Sequence, residues 1–201
     1  MIGIIDYGLG NIQSFMDSFR ILGVPALRVK NKIDLKKIDK AILPGVGAFD
    51  FAMQRLNDSN LMKDLNDLVL DKYLPVLGVC VGMQIMARSS EEGLKKGLGW
   101  LDADVKIIKK NDKLPLPHMG WNEINVVNDN SKLLLNLNSR RFYFLHSYYL
   151  SLDDKKDGIA ITNYGEILTA AVQKRNIYGC QFHPEKSHSS GLKILENFSK
   201  L

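Results

Sequence analysis

Cys80 stands in the apolar run Val76-Leu77-Gly78-Val79-Cys80-Val81-Gly82-Met83-Gln84, and far downstream Gln181-Phe182-His183-Pro184-Glu185 carries a histidine with a carboxylate two positions on. A free thiol titrates near about 8.5, so it needs a positive partner or a helix amino terminus to react as thiolate at neutral pH. His183 can take that proton. In an extended segment residues at i and i+2 project to one side, which puts Glu185 beside the imidazole, where it orients the ring and stabilises its charged form. Pro184 stiffens the segment between them. The chemistry this trio supports is nucleophilic attack by sulfur on a carbonyl carbon. The plainer readings are an inert core cysteine and a structural histidine, and each motif taken alone allows them.

A tetrahedral intermediate at Cys80 needs donors aimed at its developing oxyanion. Pro44-Gly45-Val46-Gly47 follows an apolar run and its glycines let backbone amides approach a ligand closely. The amide of Val81, with one from Gly45 or Val46, is the expected oxyanion hole; an ordinary strand-to-helix turn is the alternative for the same four residues. The glycines flanking Cys80 remove the Cβ atoms that would crowd a sharp strand-to-helix elbow.

The elements that must carry these residues follow from periodicity. Short apolar runs alternate with helix-patterned stretches in the first half, the signature of β-α-β units on a parallel sheet. Strands are expected at 2–5, just after Pro25, at 40–43 and at 76–79, with helices at 11–22, in two pieces over 48–72, and starting just after Cys80. Cys80 then lies at the carboxyl end of a central strand, where open α/β sheets place ligands. From about residue 102 shorter alternating strands are expected at 103–109, 121–127, 141–149, 166–172 and 176–182, with a loop at 114–117 and a closing helix at 190–200. The fold class is α/β: a single-domain open, largely parallel sheet flanked by helices, with mixed or antiparallel strands at one edge. No repeat or linker divides the chain, so residues 1–201 are expected to form one domain.

Composition narrows the rest. The chain has 201 residues, 45% of them hydrophobic, enough for one sizeable core. The start, Met1-Ile2-Gly3-Ile4-Ile5-Asp6, lacks a basic leader, and no apolar run reaches the roughly 20 residues that span a bilayer, so a cytoplasmic protein with no membrane contact is expected. Two cysteines in such a chain are expected to be reduced. The net charge of +5 draws attention to basic clusters at Arg28, Lys30, Lys32, Lys36, Lys37 and Lys40, and at Lys109, Lys110 and Lys113. They lack interleaved aromatics and match no nucleic-acid motif, so solvated faces are expected and no nucleic acid; a partner protein or a phosphorylated substrate is the weaker reading. Gly8-Leu9-Gly10 opens like a dinucleotide fingerprint but has Gln13 where the third glycine belongs, so it reads as a tight turn. Scattered histidines and two distant cysteines give no metal-ligand spacing; no metal and no cofactor are expected.

Taken together, these blocks resemble the class I (triad) glutamine amidotransferases over nearly the whole chain. Besides the two blocks around Cys80 and His183, the chain shows Asp6-Tyr7-Gly8-Leu9-Gly10-Asn11, Pro44-Gly45-Val46-Gly47-Ala48-Phe49, Pro117-His118-Met119-Gly120-Trp121-Asn122 and His146-Ser147-Tyr148. The His-Met-Gly-Trp-Asn block resembles, within that family, the glutaminase subunits of imidazole glycerol phosphate synthases. Leucine is commoner in the family where Val81 stands, but the backbone amide is kept. The resemblance implies that Cys80 attacks the side-chain amide of L-glutamine, that His183 protonates the departing ammonia, and that Glu185 holds the histidine. It implies glutamine binding by Gly47, Gln84, Ser147 and Tyr148, and a partner face including Asn11, Trp121 and Lys186. The partner implied is a (β/α)8-barrel synthase subunit in a heterodimer within histidine biosynthesis. Ser89-Ser90-Glu91-Glu92-Gly93 and Gly97-Leu98-Gly99-Trp100 are similar to paralogues that supply ammonia to sugar amidotransferases in surface-glycan synthesis, which leaves that acceptor open. A stand-alone cysteine hydrolase of γ-glutamyl or peptide bonds, and an interaction subunit without chemistry, are the further alternatives.

Overall fold

All four residues of Ile2–Ile5 are buried, and continuous apolar runs of this kind belong to parallel strands covered on both faces. In the computed structural model, which describes residues 1–109 and 114–201, that run is β1. Lys110 and Lys113 of the second basic cluster lie outside the described residues. The chain continues through α1 (Ile12–Ile21), β2 (Ala26–Val29), α2 (Lys32–Leu35), β3 (Lys40–Gly45), α3 (Phe49–Asp58) and α4 (Met62–Asn66), which runs into a wider π-helical turn at Asp67–Asp71. Then come β4 (Val76–Cys80), α5 (Val81–Gln84), β5 (Ser89–Ser90), β6 (Ala103–Ile107), β7 (His118–Glu123) and β8 (Asn125–Val126). The last third holds β9 (Arg141–His146), β10 (Tyr148–Leu152), β11 (Gly158–Asn163), β12 (Ile167–Lys174), β13 (Ile177–Cys180) and α6 (His188–Ser199).

Among the described residues the main sheet runs β2-β1-β3-β4-β13-β12-β11-β8. Its first five strands are parallel, and β12, β11 and β8 join antiparallel, so the mixed edge expected from the second half is present. Helix α1 explains its own position: the Asn11 side chain accepts from the Ser14 amide at 3.2 Å and caps the first turn, and Ile12, Phe15 and Phe19 form the face laid on the sheet. Helix α3 has no side-chain cap of its own. Its first amide, on Phe49, instead donates to the Glu92 carboxylate at 2.8 Å, which ties the helix start to a loop 43 residues away in sequence.

Several expected elements differ in detail. The stretch 121–127 is two strands in two sheets, because β7 begins earlier, at His118, and pairs with β9, while β8 joins the main sheet beside β11. The stretch 141–149 breaks at Ser147, where the chain leaves β9 and starts β10 against β6. The last parallel strand ends at Cys180 rather than 182, β12 extends to Lys174, and β11 was not expected at all. Of the first basic cluster, Arg28 pairs with Asp6 at 2.7 Å, Lys32 with Asp64 at 2.8 Å and Lys37 with Asp34 at 3.3 Å. No helix among the described residues is long and apolar enough to cross a membrane.

Candidate active site

Strands β3, β4 and β13 run parallel side by side, so their carboxyl ends open on one edge of the sheet. Gly45 pairs with Cys80, and Cys180 pairs with Val79, so the segment leaving β13 emerges beside the cysteine. Cys80 has φ +54° and ψ −118°, a strained conformation for a residue with a Cβ. The surroundings enforce it. A Cβ on Gly82 would lie 1.9 Å from the Leu43 carbonyl oxygen, and one on Gly45 would lie 2.3 Å from the Gly82 nitrogen, so both must be glycine for the elbow to pack on β3. The helix expected just after Cys80 is present as α5 and is a single turn. It offers local amide groups beside the sulfur rather than the field of a long helix.

The thiol is buried, with Sγ 3.8 Å from the Leu145 carbonyl oxygen and the Gln181 side-chain amide donating to it at 3.7 Å. Across from it, His183 accepts its place from the backbone: its amide donates to the Tyr143 carbonyl at 2.9 Å. Its Nδ1 meets Glu185 Oε1 at 2.8 Å, with both side chains buried. Burial pulls the His183 imidazole toward neutrality, but hydrogen bonding and charge from Cys80 and Glu185 outweigh it and push its pKa up to about 10. The trio separated by a hundred positions in sequence is thus one unit in the fold. Cys80 and His183 open on a cavity of about 270 Å³ also lined by Val46, Gly47, Val81 and Gln84, and by Ser147 and Tyr148.

Comparison with known proteins agrees with this geometry. Residues 3–201 match the family "Glutamine amidotransferase class-I". The chain belongs to that family. It is 50% identical over its full length, and that of the relative, to the imidazole glycerol phosphate synthase subunit HisH of Leptospira borgpetersenii. It is 44% identical, again over the whole of both chains, to the imidazole glycerol phosphate synthase subunit HisH 2 of Pseudomonas aeruginosa. A crystal structure of a glutamine amidotransferase superposes with TM-score 0.75 at 19% identity, covering 100% of this chain and 99% of the other. A glutamine amidotransferase of Thermotoga maritima superposes with TM-score 0.65 at 19% identity, covering 99% and 82%.

As a class I glutamine amidotransferase, the chain places its other expected site residues as follows. Val46, Gly47 and Val81 border the cavity; Gly45 is buried in β3 behind them and does not line it. The Tyr7 hydroxyl donates to the Pro44 carbonyl at 2.6 Å and steadies the turn from outside. Gln84 donates from Nε2 to the Tyr148 carbonyl at 2.8 Å and to Gln181 Oε1 at 3.1 Å. With its NH2 group so occupied, its carbonyl oxygen is left for a ligand. Trp121 stacks on His188 with centroids 5.2 Å apart, and Lys186 lies 5.8 Å over the Tyr143 ring that also meets Trp121 edge-on. Asn11 is exposed at the head of α1, and its side chain serves the helix cap.

Three residues at the site escaped the sequence reading. Gln181 was in view two positions before His183, but its contact with the sulfur depends on the β4–β13 register. Glu92 lines the cavity from a polar loop with no local signature. His146 lines it too, and its neighbourhood pushes it in the opposite direction from His183: burial lowers its pKa to about 3.

Proposed function

We propose that the chain is the glutaminase subunit of an imidazole glycerol phosphate synthase, with residues 1–201 forming one glutaminase domain. The observation that carries this reading is the strained Cys80 elbow meeting the His183–Glu185 pair over a cavity of amino-acid size. The Cys80 thiolate attacks the side-chain carboxamide carbon of L-glutamine. The oxyanion is met by the Val81 amide together with that of Val46, since Gly45, the other expected donor, sits behind the cavity in β3. His183, held protonated by its partners, gives its proton to the leaving ammonia as the tetrahedral intermediate collapses to a glutamyl thioester. A water, deprotonated by the now neutral His183, hydrolyses the thioester and releases glutamate. Gly47, Gln84, Ser147 and Tyr148 hold the amino-acid end of the substrate, and the Glu92 carboxylate supplies the counter-charge for its ammonium group. These steps use only the chain's side chains, its backbone and water.

Ammonia released into water is mostly protonated and no longer nucleophilic, so it must pass directly to the enzyme that consumes it. The relatives named above are subunits of such an enzyme. The synthase partner proposed here is a (β/α)8 barrel bound in a cytoplasmic heterodimer, with Asn11, Trp121 and Lys186 on the contact face. The test is glutamate release with and without the purified synthase subunit. Slow release alone and a large rise with the synthase are expected. Full turnover alone would indicate a stand-alone hydrolase, and a rise only with a sugar amidotransferase would move the chain to the glycan reading.

A further inference from the structure

Two buried histidines outside the triad form one end of a chain of hydrogen bonds that reaches the glutamine cleft. His146 Nδ1 lies 2.9 Å from the Tyr148 carbonyl oxygen, and its Nε2 lies 2.9 Å from His118 Nδ1. His118 Nε2 lies 3.1 Å from the Asn122 side-chain nitrogen, which also donates to the Asn163 carbonyl at 2.9 Å. A carbonyl only accepts, so the direction of every bond is set from both ends. From Tyr148, His146 must carry its proton on Nδ1, leaving Nε2 as acceptor, so His118 donates from Nδ1. From Asn163, the Asn122 nitrogen is a donor, so His118 Nε2 accepts. The two ends give the same tautomers. The His118 ring cannot turn to escape this arrangement, because it is stacked between Phe144 at 4.7 Å and Tyr164 at 4.1 Å.

The chain ends where the ligand site begins. The Tyr148 carbonyl that accepts from His146 also accepts from Gln84 at 2.8 Å, so it fixes which way the Gln84 carboxamide faces. Taking the glutaminase reading as given, we propose that His118 and His146 are positioning residues of the glutamine site, a neutral relay of fixed direction that holds the Tyr148 carbonyl and through it Gln84. The titratable groups facing the relay are few. His118 faces His146 from β9 and Tyr164 from the turn after β11, and His146 faces His118 and His183. Burial lowers both, His118 to about 4 and His146 to about 3, so both stay neutral across the range in which a Cys–His pair works.

Two measurements on the full-length protein, with the synthase subunit present for kinetics, decide this. Two-bond proton–nitrogen correlation spectra of the histidine rings should show His118 and His146 as neutral Nδ1–H tautomers at neutral pH. His118→Phe keeps the stacked ring without its nitrogens and should raise KM for glutamine about tenfold, the worth of one positioned hydrogen bond, with kcat changed by no more than about threefold. His118→Asn restores a donor near the Nδ1 position and should bring KM back to within about threefold of wild type. Asn122→Asp, on the half-exposed edge, sets a carboxylate against the His118 Nε2 lone pair. That variant takes up a proton at acid pH with the relay intact and loses it as pH rises, so its KM should climb with pH where the wild-type value is flat. An Nε2–H tautomer or an imidazolium at neutral pH overturns the proposal, as does an unchanged KM in His118→Phe and Asn122→Asp together, or a loss in His118→Phe that falls on kcat and is not rescued by Asn. A wild-type protein that releases no glutamate would instead sink the glutaminase reading, and the spectra would still decide the relay.

Discussion

His183 carries the largest burden of any single side chain, because its raised pKa reflects what Cys80 and Glu185 do to it. The second Glu185 oxygen, Oε2, is buried with no hydrogen-bond partner among the described residues, so the carboxylate acts on the imidazole through its Oε1 hydrogen bond and its charge. Changing Glu185→Gln keeps the shape and removes that charge. The expected result is a kcat lower by about a hundredfold with a small change in melting temperature, measured by glutaminase assay and thermal unfolding. A pH signature accompanies it. A histidine whose pKa is raised on folding adds stability that is complete below its unfolded value of about 6.5 and is lost as pH climbs through about 10. Urea unfolding of the wild type should therefore weaken from neutral to alkaline pH, and less steeply in the glutamine variant. The His183–Glu185 contact was legible in the spacing, but the extended segment expected to form it is absent: the strand ends at Cys180 and Pro184–Lys186 is a turn of 3-10 helix capped by His183, which brings Glu185 back against the imidazole. Glu92 was not legible, since only the fold brings its loop to the cavity and to the first amide of α3.

At the scale of elements, the elbow between β4 and α5 is the part that cannot vary. The Leu43 carbonyl leaves no room for a methyl at Gly82, and it is backbone, which cannot swing aside as a side chain would. Gly82→Ala should cost at least about 2 kcal/mol and remove activity even in molecules that fold, checked by denaturant unfolding and by kinetics of the soluble fraction. The parallel strands β1, β3 and β4 were readable because their burial on both faces writes itself as unbroken apolar runs. The passage from β9 to β10 was harder. Alternation continues through 141–149, with Phe142 and Phe144 buried on β9 and Leu150 buried on β10, so the pattern gives no warning that Ser147 sends the chain from one sheet to another. Partner strand choice is a tertiary matter that period-two patterning does not encode.

For the molecule as a whole, parallel topology is what turns distant motifs into a site: three strands with a common direction deliver the Gly45–Gly47 turn, Cys80 and the His183 segment to one edge. Val46, which lines the cavity, and Met119, which pairs across β7 and β9 with the cavity-lining Leu145, expose apolar side chains to solvent, as does Trp121 two residues on. Exposed apolar patches beside a cleft fit a partner that closes over it. Slow glutamate release by the isolated chain is the outcome expected if such a partner completes the site. The molecule also contains its own control for the central claim, a second cysteine, Cys180, that is fully buried and whose thiol burial holds well above its ordinary range. The most direct measurement is mass spectrometry after exposure to an electrophilic glutamine analogue: one adduct, on Cys80, is predicted, whereas no adduct, or one on Cys180 with Cys80 untouched, would contradict the account.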